Sequence, residues 1–394
     1  MADWLTDFVD HTSYGETPPK VMWWVGVATI AGALRRKVWI EQNYFQWTPN
    51  FYLLIVAPPG SIKKSTSIDL GMRMLRKVPE IDFGPQIVTW QQLITHMAGT
   101  RQIVDVDGKS FDMSCCTIAL SEFGSFFDPS NRELIDNLTD IWDSKLGTIK
   151  KETKTNGDDE IVNPWLNILA CTTPGWVSDN FSSKLVGSGF ASRPIFLFAQ
   201  SPLRDVPYPS RSMPKCSAMD YREQELVGRL TEISQFAGQY EMTEAAYVWG
   251  EKWYMNYRDK QRKMGSSTEA GFYERKQTHL HKTAMVICAA KGRFPVISVE
   301  EMEEADYRLG QLEEDVRSIF GFVGQSNISK TAREIIEVLV RVGAISKREM
   351  FKRYFFRTMS SKEFDEAMTS AIESGMVLVN GALNDAVVSL RNKS

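Results

Sequence analysis

The sequence predicts an α/β fold whose core carries one phosphate-binding loop, preceded by a helical segment and followed by a helical lid and a winged-helix-like tail. Three stretches predict it. Phe51 to Leu75, FYLLIVAPPGSIKKSTSIDLGMRML, passes from an apolar β-rich run through a turn-forming loop into a helix that opens on Lys-Lys-Ser-Thr. Ser114 to Gly124, SCCTIALSEFG, is an apolar strand ending on an acid, and Trp165 to Pro174, WLNILACTTP, is another that turns polar at Thr172-Thr173. Apolar runs of strand length alternating with helical segments are the pattern of an α/β fold.

The loop has the chemistry a phosphate chain requires: backbone N–H groups in a tight turn, the positive end of a helix dipole, a lysine, and a hydroxyl for Mg²⁺. In the pattern G-x-x-x-x-G-K-[ST], taking Lys64-Ser65 as the terminal pair puts Pro58 and Lys63 at the two glycine positions and leaves Gly60 as the loop's glycine. The other register, with Lys63 as the phosphate lysine, puts Lys64 where the hydroxyl belongs. The first register is preferred, with Pro59, Gly60, Ser61, Lys63, Lys64, Ser65 and Thr66 as the nucleotide-binding residues and Ser65 as the metal ligand. The plain alternative is a strand-turn-helix with surface lysines.

At 394 residues the chain exceeds one core, since single cores seldom grow past roughly 250–300 residues. We divide it into a helical segment (1–45), the loop-bearing core (46–200), a helical lid (215–323) and a winged-helix-like domain (326–394). A net charge of −3 excludes a uniformly basic nucleic-acid coat but leaves room for a local basic surface. Five cysteines without C-x-x-C spacing read as buried free thiols of a reducing compartment, and four histidines without cysteine partners argue against a zinc site. Val21 to Leu34 is too short to span a bilayer and reads as a buried helix. With no targeting segment, a cytoplasmic location is expected.

Along the chain, Pro18-Pro19 opens a long helix that ends near Arg35-Arg36-Lys37, whose charges complement its dipole. Val38 to Glu41 is a strand, and Tyr44, Phe45 and Trp47 form a connector read as packing. Gln86 to Val88 is a short strand, and Trp90 to Met97 a helix. Arg101 to Met113 forms a hairpin about Asp107-Gly108. Asn131 to Lys145 is a helix, and Thr148 to Val162 a second hairpin with Asn156-Gly157 at its tip and Lys150, Lys151 and Lys154 along one arm. GSGFASRPIFLF, Gly187 to Phe198, sets Arg193 between a glycine-rich loop and a strand. Ser201 to Pro214 is a linker. Helices follow at Tyr221 to Tyr240, Glu244 to Met264, Gly271 to Lys291 and Val299 to Phe322. The tail holds helices at Thr331 to Val342, Ser346 to Tyr354 and Ser360 to Gly375, then two strands that could pair as a wing, binding DNA or protein.

This order of segments, with TPNFYLLIVAPPG-x-x-KKST, ALSEFG, CTTP, GSGFASRP and ERKQTHLHKTAMVICAAKG, resembles the phage- and plasmid-encoded ATPases related to primase-helicases, within the AAA+ and RecA-like P-loop NTPases. The resemblance covers roughly Pro18 to Phe322. It implies that Lys64 and Ser65 bind ATP with Mg²⁺, that Glu122 activates the attacking water, and that Thr172 senses the γ-phosphate. Arg193 resembles an arginine finger acting on a neighbouring subunit. The lysine-bearing hairpin resembles one that grips DNA, single-stranded above all. A homo-oligomeric ring is implied, such as a hexamer, with primase or other replication proteins as partners and no membrane. The implied activity is that of a DNA-dependent ATPase, a replicative helicase or translocase. The alternative is a nucleotide-switched DNA-binding or loading protein, because the loop lacks its glycines and Ser121 stands where such ATPases carry an acid.

Overall fold

A helix with no polar face lies at the centre of the fold. In the computed structural model, which describes residues 3–85, 89–106, 108–153, 157–181, 185, 189–212, 216–264, 270–320, 327–373, 375–380 and 386–390, α1 (Trp4–Thr12) precedes α2 (Pro19–Leu34). Every residue from Val21 to Leu34 is buried. An all-apolar helix has no face to give to water, so other elements cover it on every side. No helix among the described residues is long and apolar enough to cross a membrane.

The basic run after α2 does not serve the helix dipole at a surface. Arg35, Arg36 and Lys37 form one tight turn and are all buried. Arg36 donates to the carbonyls of Pro164, at 3.0 Å, and Ser144, at 2.6 Å. Arg35 reaches the Glu80 carbonyl at 2.7 Å, and the Lys37 ammonium meets the Ser234 carbonyl. Burial lowers the Arg36 guanidinium to about 10 and the Lys37 amine to about 8. These side chains tie loops together from inside, a role that the local sequence does not advertise.

Strand β1 (Val38–Glu41) pairs antiparallel with β2 (Gln46–Trp47). The connector between them splits: Trp47 is buried against His281, whereas Tyr44 is 97% exposed. The main sheet is formed by β3 (Tyr52–Val56), β4 (Arg101–Val106), β5 (Lys109–Leu120), β8 (Pro164–Thr172) and β9 (Pro194–Phe198), with β6 (Thr148–Thr153) and β7 (Gly157–Val162) as a separate hairpin. Its order is β4-β5-β8-β3-β9; β4 is antiparallel to β5 and the others are parallel. Gly108 supplies the positive φ of the β4–β5 turn, while Asp107 and the expected strand over Gln86 to Val88 lie outside the described residues. The chain is thus mixed α/β with a mainly parallel central sheet.

Helix α3 (Lys64–Leu75) lies against α2 at unusually close range. A Cβ added at Gly71 would collide with Thr29 Oγ1 and Val25, and one at Gly32 would collide with Leu75. Each helix therefore gives up a side chain where the other approaches. Next come α4 (Trp90–Gly99), α5 (Arg132–Asp143), α6 (Pro174–Asn180), α7 (Cys216–Ile233) and α8 (Glu244–Met264). The described residues between β9 and α7 are irregular apart from one turn at Pro209–Ser212.

Helix α9 (Ala270–Ala290) is expected to belong to a lid, but the structure makes it core. His279 to Ala290 are all buried, and the Lys282 ammonium donates to Asn50 Oδ1 at 2.7 Å at the start of β3. Helices α10 (Val299–Gly310) and α11 (Leu312–Phe320) replace one expected helix, interrupted at Gln311. Asp315 of α11 binds Lys20 of α2 at 2.6 Å and accepts the Phe198 N–H of β9 at 3.1 Å. Short parallel pairs join β10 (Gly238–Gln239) to β1, and β11 (Glu241–Met242) to β12 (Val296–Ile297). Residues 1–320 accordingly form one compact unit, rather than separate segment, core and lid.

Residues 321–394 form the second unit: α12 (Asn327–Val342), β13 (Ala344–Ser346), α13 (Lys347–Met350), α14 (Ser361–Glu373), β14 (Val377–Asn380) and β15 (Val387–Leu390). The last two strands pair as expected, and β13, which the sequence reading did not include, joins them in the order β13-β15-β14. Ile335, Leu339, Met350, Phe355, Phe364 and Val388 build its own core.

Two buried histidines of α9 give the larger unit an acid sensitivity. Burial pushes His281, stacked on Trp47, down to about 4, and His279 down to about 3. Both values are depressed in the folded chain, so below the ordinary histidine value the unfolded chain binds protons that the folded chain refuses. Stability should fall as pH drops below about 6.5, by roughly 1.4 kcal/mol per pH unit for each histidine. For His281 the loss ends at about 4. Denaturant midpoints across this range should show the slope, and His281→Phe should remove about half of it. An unchanged slope in that variant would assign the acid sensitivity to other groups.

Candidate functional site

The parallel strands β3, β8 and β5 end at one edge of the sheet, where α/β proteins of this kind bind ligands. Strand β3 is buried throughout, and its last residue, Val56, pairs with Thr172. The loop that follows is tightly shaped. Ser61 closes a turn on the Pro58 carbonyl through its N–H, at 3.3 Å, and its hydroxyl, at 2.9 Å. Ile62 is buried as an anchor, and Thr17 donates to its carbonyl at 2.8 Å while lying 2.7 Å from the Ser67 hydroxyl. Pro59 and Gly60 are exposed at the tip.

The backbone gives the loop its register. Gly60 has φ 71, and Lys63 has φ 54 and ψ 45 immediately before the helix opens at Lys64. A left-handed residue directly before the phosphate lysine is what the second glycine of the pattern provides, so Lys63 occupies a glycine conformation. The first turn of α3 has no side-chain cap, and Ser65 and Thr66 are exposed on it. The Lys64 ammonium folds back over the loop, donating to the Ala57 carbonyl at 2.5 Å and to that of Pro58 at 3.3 Å. Uncapped amides, an amine held over the loop and an exposed hydroxyl would suit a nucleotide's phosphates, with Ser65 facing the magnesium ion they carry.

The two neighbouring strand ends add a hydroxyl and a carboxylate. Thr173 caps α6, accepting the Trp176 N–H at 3.2 Å, so it is committed to local structure. Thr172 differs: it is fully buried, and its hydroxyl has no hydrogen-bond partner among the described residues. In the parallel register Leu120 lies beside Ala170, which brings Glu122 level with Thr172, two strands and about 10 Å from β3. Glu122 is exposed and extended, its backbone carbonyl accepting from Ser125. Beneath them, burial raises the Cys171 thiol to about 12; Lys64 opposes the rise, and Glu122 and Asp69 add to it.

Beside the loop lies a cavity of about 550 Å³, lined by His11, Glu16, Thr17, Lys63, Thr66 and Glu223 among others. Its volume falls in the range of about 300–1,000 Å³ common for small-molecule sites. Burial lowers the His11 pKa, and its Nδ1 is enclosed without a partner among the described residues. Glu223 of α7, which lines this cavity together with Arg73, holds Arg73 and Lys77 of α3, each at 2.7 Å. Sequence reasoning did not find His11, Glu16, Thr17 or Glu223, because each comes from a segment that reads locally as a helix end or a chain break.

Other expected residues lie elsewhere. Arg193 precedes β9, at the opposite edge of the sheet, and is 4% exposed. Its guanidinium is held by Asp143 at 2.9 Å and by the Gly189 carbonyl, near Trp142 and the buried Lys282. A finger needs a guanidinium that another subunit can reach, whereas this one is enclosed and hydrogen-bonded. The β6–β7 hairpin also leaves from that edge, a strand length of about 30 Å along β8 from the loop that follows β3, and does not flank that loop. Lys150 pairs with Glu160 at 3.5 Å, Lys151 lies opposite Asp159 in the backbone register, and Lys154 lies outside the described residues. From Lys150 to Glu160 three lysines face four acids, 3 − 4 = −1, so the hairpin is not a basic arm.

No protein-family model matches the chain, and no curated protein is similar to it in sequence.

The left-handed Lys63 yields a test independent of any ligand. A non-glycine residue in this conformation costs about 1–2 kcal/mol, partly offset by glycine's greater freedom in the unfolded chain. Lys63→Gly should stabilise the protein by up to about 1 kcal/mol in chemical denaturation, whereas Lys63→Ala should not. Stabilisation by alanine and not by glycine would contradict the loop conformation.

Proposed function

We propose that this chain is a P-loop ATPase of the AAA+/RecA-like class that uses ATP and Mg²⁺ to act on DNA as a ring-forming helicase or translocase. One observation carries the reading: a left-handed residue directly before Lys64 opens an uncapped helix at the sheet edge where Thr172 and Glu122 also end. Backbone N–H groups of the loop and first turn of α3 would cradle the phosphates, Lys64 would leave its carbonyl partners for them, and Ser65 would face Mg²⁺. The metal supplies charge neutralisation. Glu122 would take a proton from the attacking water, with Thr172 donating a hydroxyl beneath the loop. The cavity beside Lys63 and Thr66 would receive the nucleoside. A homo-oligomeric ring belongs to this reading, and the enclosure of Arg193 leaves its trans-acting residue to be found by mutation.

Two observations favour a second reading, a nucleotide switch that hydrolyses slowly. Ser121 stands where an acid would help to hold the metal, and Lys63 occupies its glycine conformation at a cost.

Binding and turnover separate the readings. Lys64→Ala should abolish binding of a fluorescent ATP analogue, while Lys63→Ala weakens it less. Glu122→Gln should bind normally and lose turnover by about 10²-fold or more, since it keeps the shape and cannot accept the proton. Single-stranded DNA should stimulate the wild-type rate. Normal binding by Lys64→Ala would overturn the site, and binding without DNA-stimulated turnover in the wild type would establish the switch.

A further inference from the structure

The C-terminal unit has two faces of opposite charge, and the acidic one is the helix that a winged module would insert into a DNA groove. Across α14, Lys362 stands against Glu363, Asp365, Glu366 and Glu373, 1 − 4 = −3. All five residues are exposed. Duplex phosphates would be repelled there.

The preceding segment is the reverse. From Lys347 to Arg357 five basic residues meet one acid, 5 − 1 = +4. Helix α13 continues into a wide turn in which the Phe356 N–H bonds the Phe351 carbonyl five residues back, at 2.8 Å. The turn buries Phe355 in the unit's core and leaves Phe356 68% and Tyr354 42% exposed. Wide turns of this kind are often found at functional sites. Arg348, Lys352, Arg353, Tyr354, Phe356 and Arg357 line a depression of about 760 Å³ here. Lys347 is held by Asp365 at 2.8 Å and Arg353 by Glu349 at 2.5 Å. Arg348, Lys352 and Arg357 have no ion pair among the described residues.

We infer that this basic, aromatic face of residues 347–357 binds single-stranded nucleic acid, with Arg348, Lys352 and Arg357 on phosphates and Tyr354 and Phe356 stacking on bases. Charge complementarity selects a polyanion, and the exposed rings select one whose bases are unpaired, because duplex bases offer no free face. An acidic peptide would satisfy the cations and leave the rings without partners. The inference rests on residues of the C-terminal unit alone and stands whether or not ATP is hydrolysed.

The test uses the full chain and a fluorescent oligothymidylate without nucleotide. Arg348→Ala/Lys352→Ala/Arg357→Ala should weaken binding more than tenfold and reduce the slope of log affinity against log salt by about 2, the value for three lost single-strand phosphate contacts. Tyr354→Ala/Phe356→Ala should weaken binding about tenfold with the slope unchanged. Arg348→Lys/Lys352→Arg/Arg357→Lys should retain affinity, which separates loss of contacts from loss of folding. The same sets measured with Lys150→Ala/Lys151→Ala/Lys154→Ala present show whether the hairpin contributes separately. Unchanged affinity in the first two sets, or displacement of the probe by duplex as readily as by single strand, would overturn the inference.

Discussion

The burial of α2 on all sides is the constraint on which the larger unit depends. A helix with Trp23, Trp24, Val25, Val27, Ile30 and Leu34 on different faces cannot sit at a surface, and each large apolar side chain fully buried contributes roughly 1.5–3 kcal/mol. Covering it takes α1 on one side, α3 and the sheet on others, and α9 from far along the chain. Helix α3 is therefore seated on the centre of the larger unit. Gly32 and Gly71 let the two backbones close, so the loop at the end of α3 stands on a fixed base and not on a mobile surface turn.

The two edges of the sheet are built differently. At the edge where β3 and β8 end, polar groups are left available: the N–H donors of the first turn of α3, the exposed hydroxyls of Ser65 and Thr66, and the exposed carboxylate of Glu122. At the other edge, cations are enclosed and satisfied by backbone carbonyls and one carboxylate, as with Arg36, Lys282 and Arg193 on Asp143. A buried charge left without such partners would cost several kcal/mol. The same residue types thus hold the structure together at one edge and leave groups for a ligand at the other. Only their surroundings distinguish them.

That difference explains what the sequence disclosed. The apolar runs that form β3, β5 and β8, the buried helix over Val21 to Leu34 and the turn at Gly108 were legible because periodicity and turn chemistry are local. The turn between β3 and α3 was legible too, although the left-handed conformation of Lys63 within it shows only in the folded chain. Arg35 to Lys37 and Arg193 misled for one reason: a basic residue at an element end has the same local pattern whether it faces water or an acceptor that only the folded chain brings to it, such as the Ser144 and Pro164 carbonyls on Arg36 or the Asp143 carboxylate on Arg193. Helix α9 was assigned to a lid because its charges, Lys282 included, look solvent-facing in sequence. The acidic face of α14 was in plain view, but its meaning required knowing which residues Phe364 and Met368 turn outward by facing the core.

The enclosed cations also impose an order in time. Arg36 finds its carbonyls 108 and 128 residues later, Lys37 at 197, and Asn50 meets Lys282 only after 232. Until α9 has left the ribosome, a chain already carrying α2 has neither the cover for its apolar surface nor the last partner of its β3 entry. Such distant contacts slow folding and prolong the exposure of sticky surface. The larger unit must therefore be synthesised nearly to its end before these contacts can close, whereas the core of the C-terminal unit needs only its own residues.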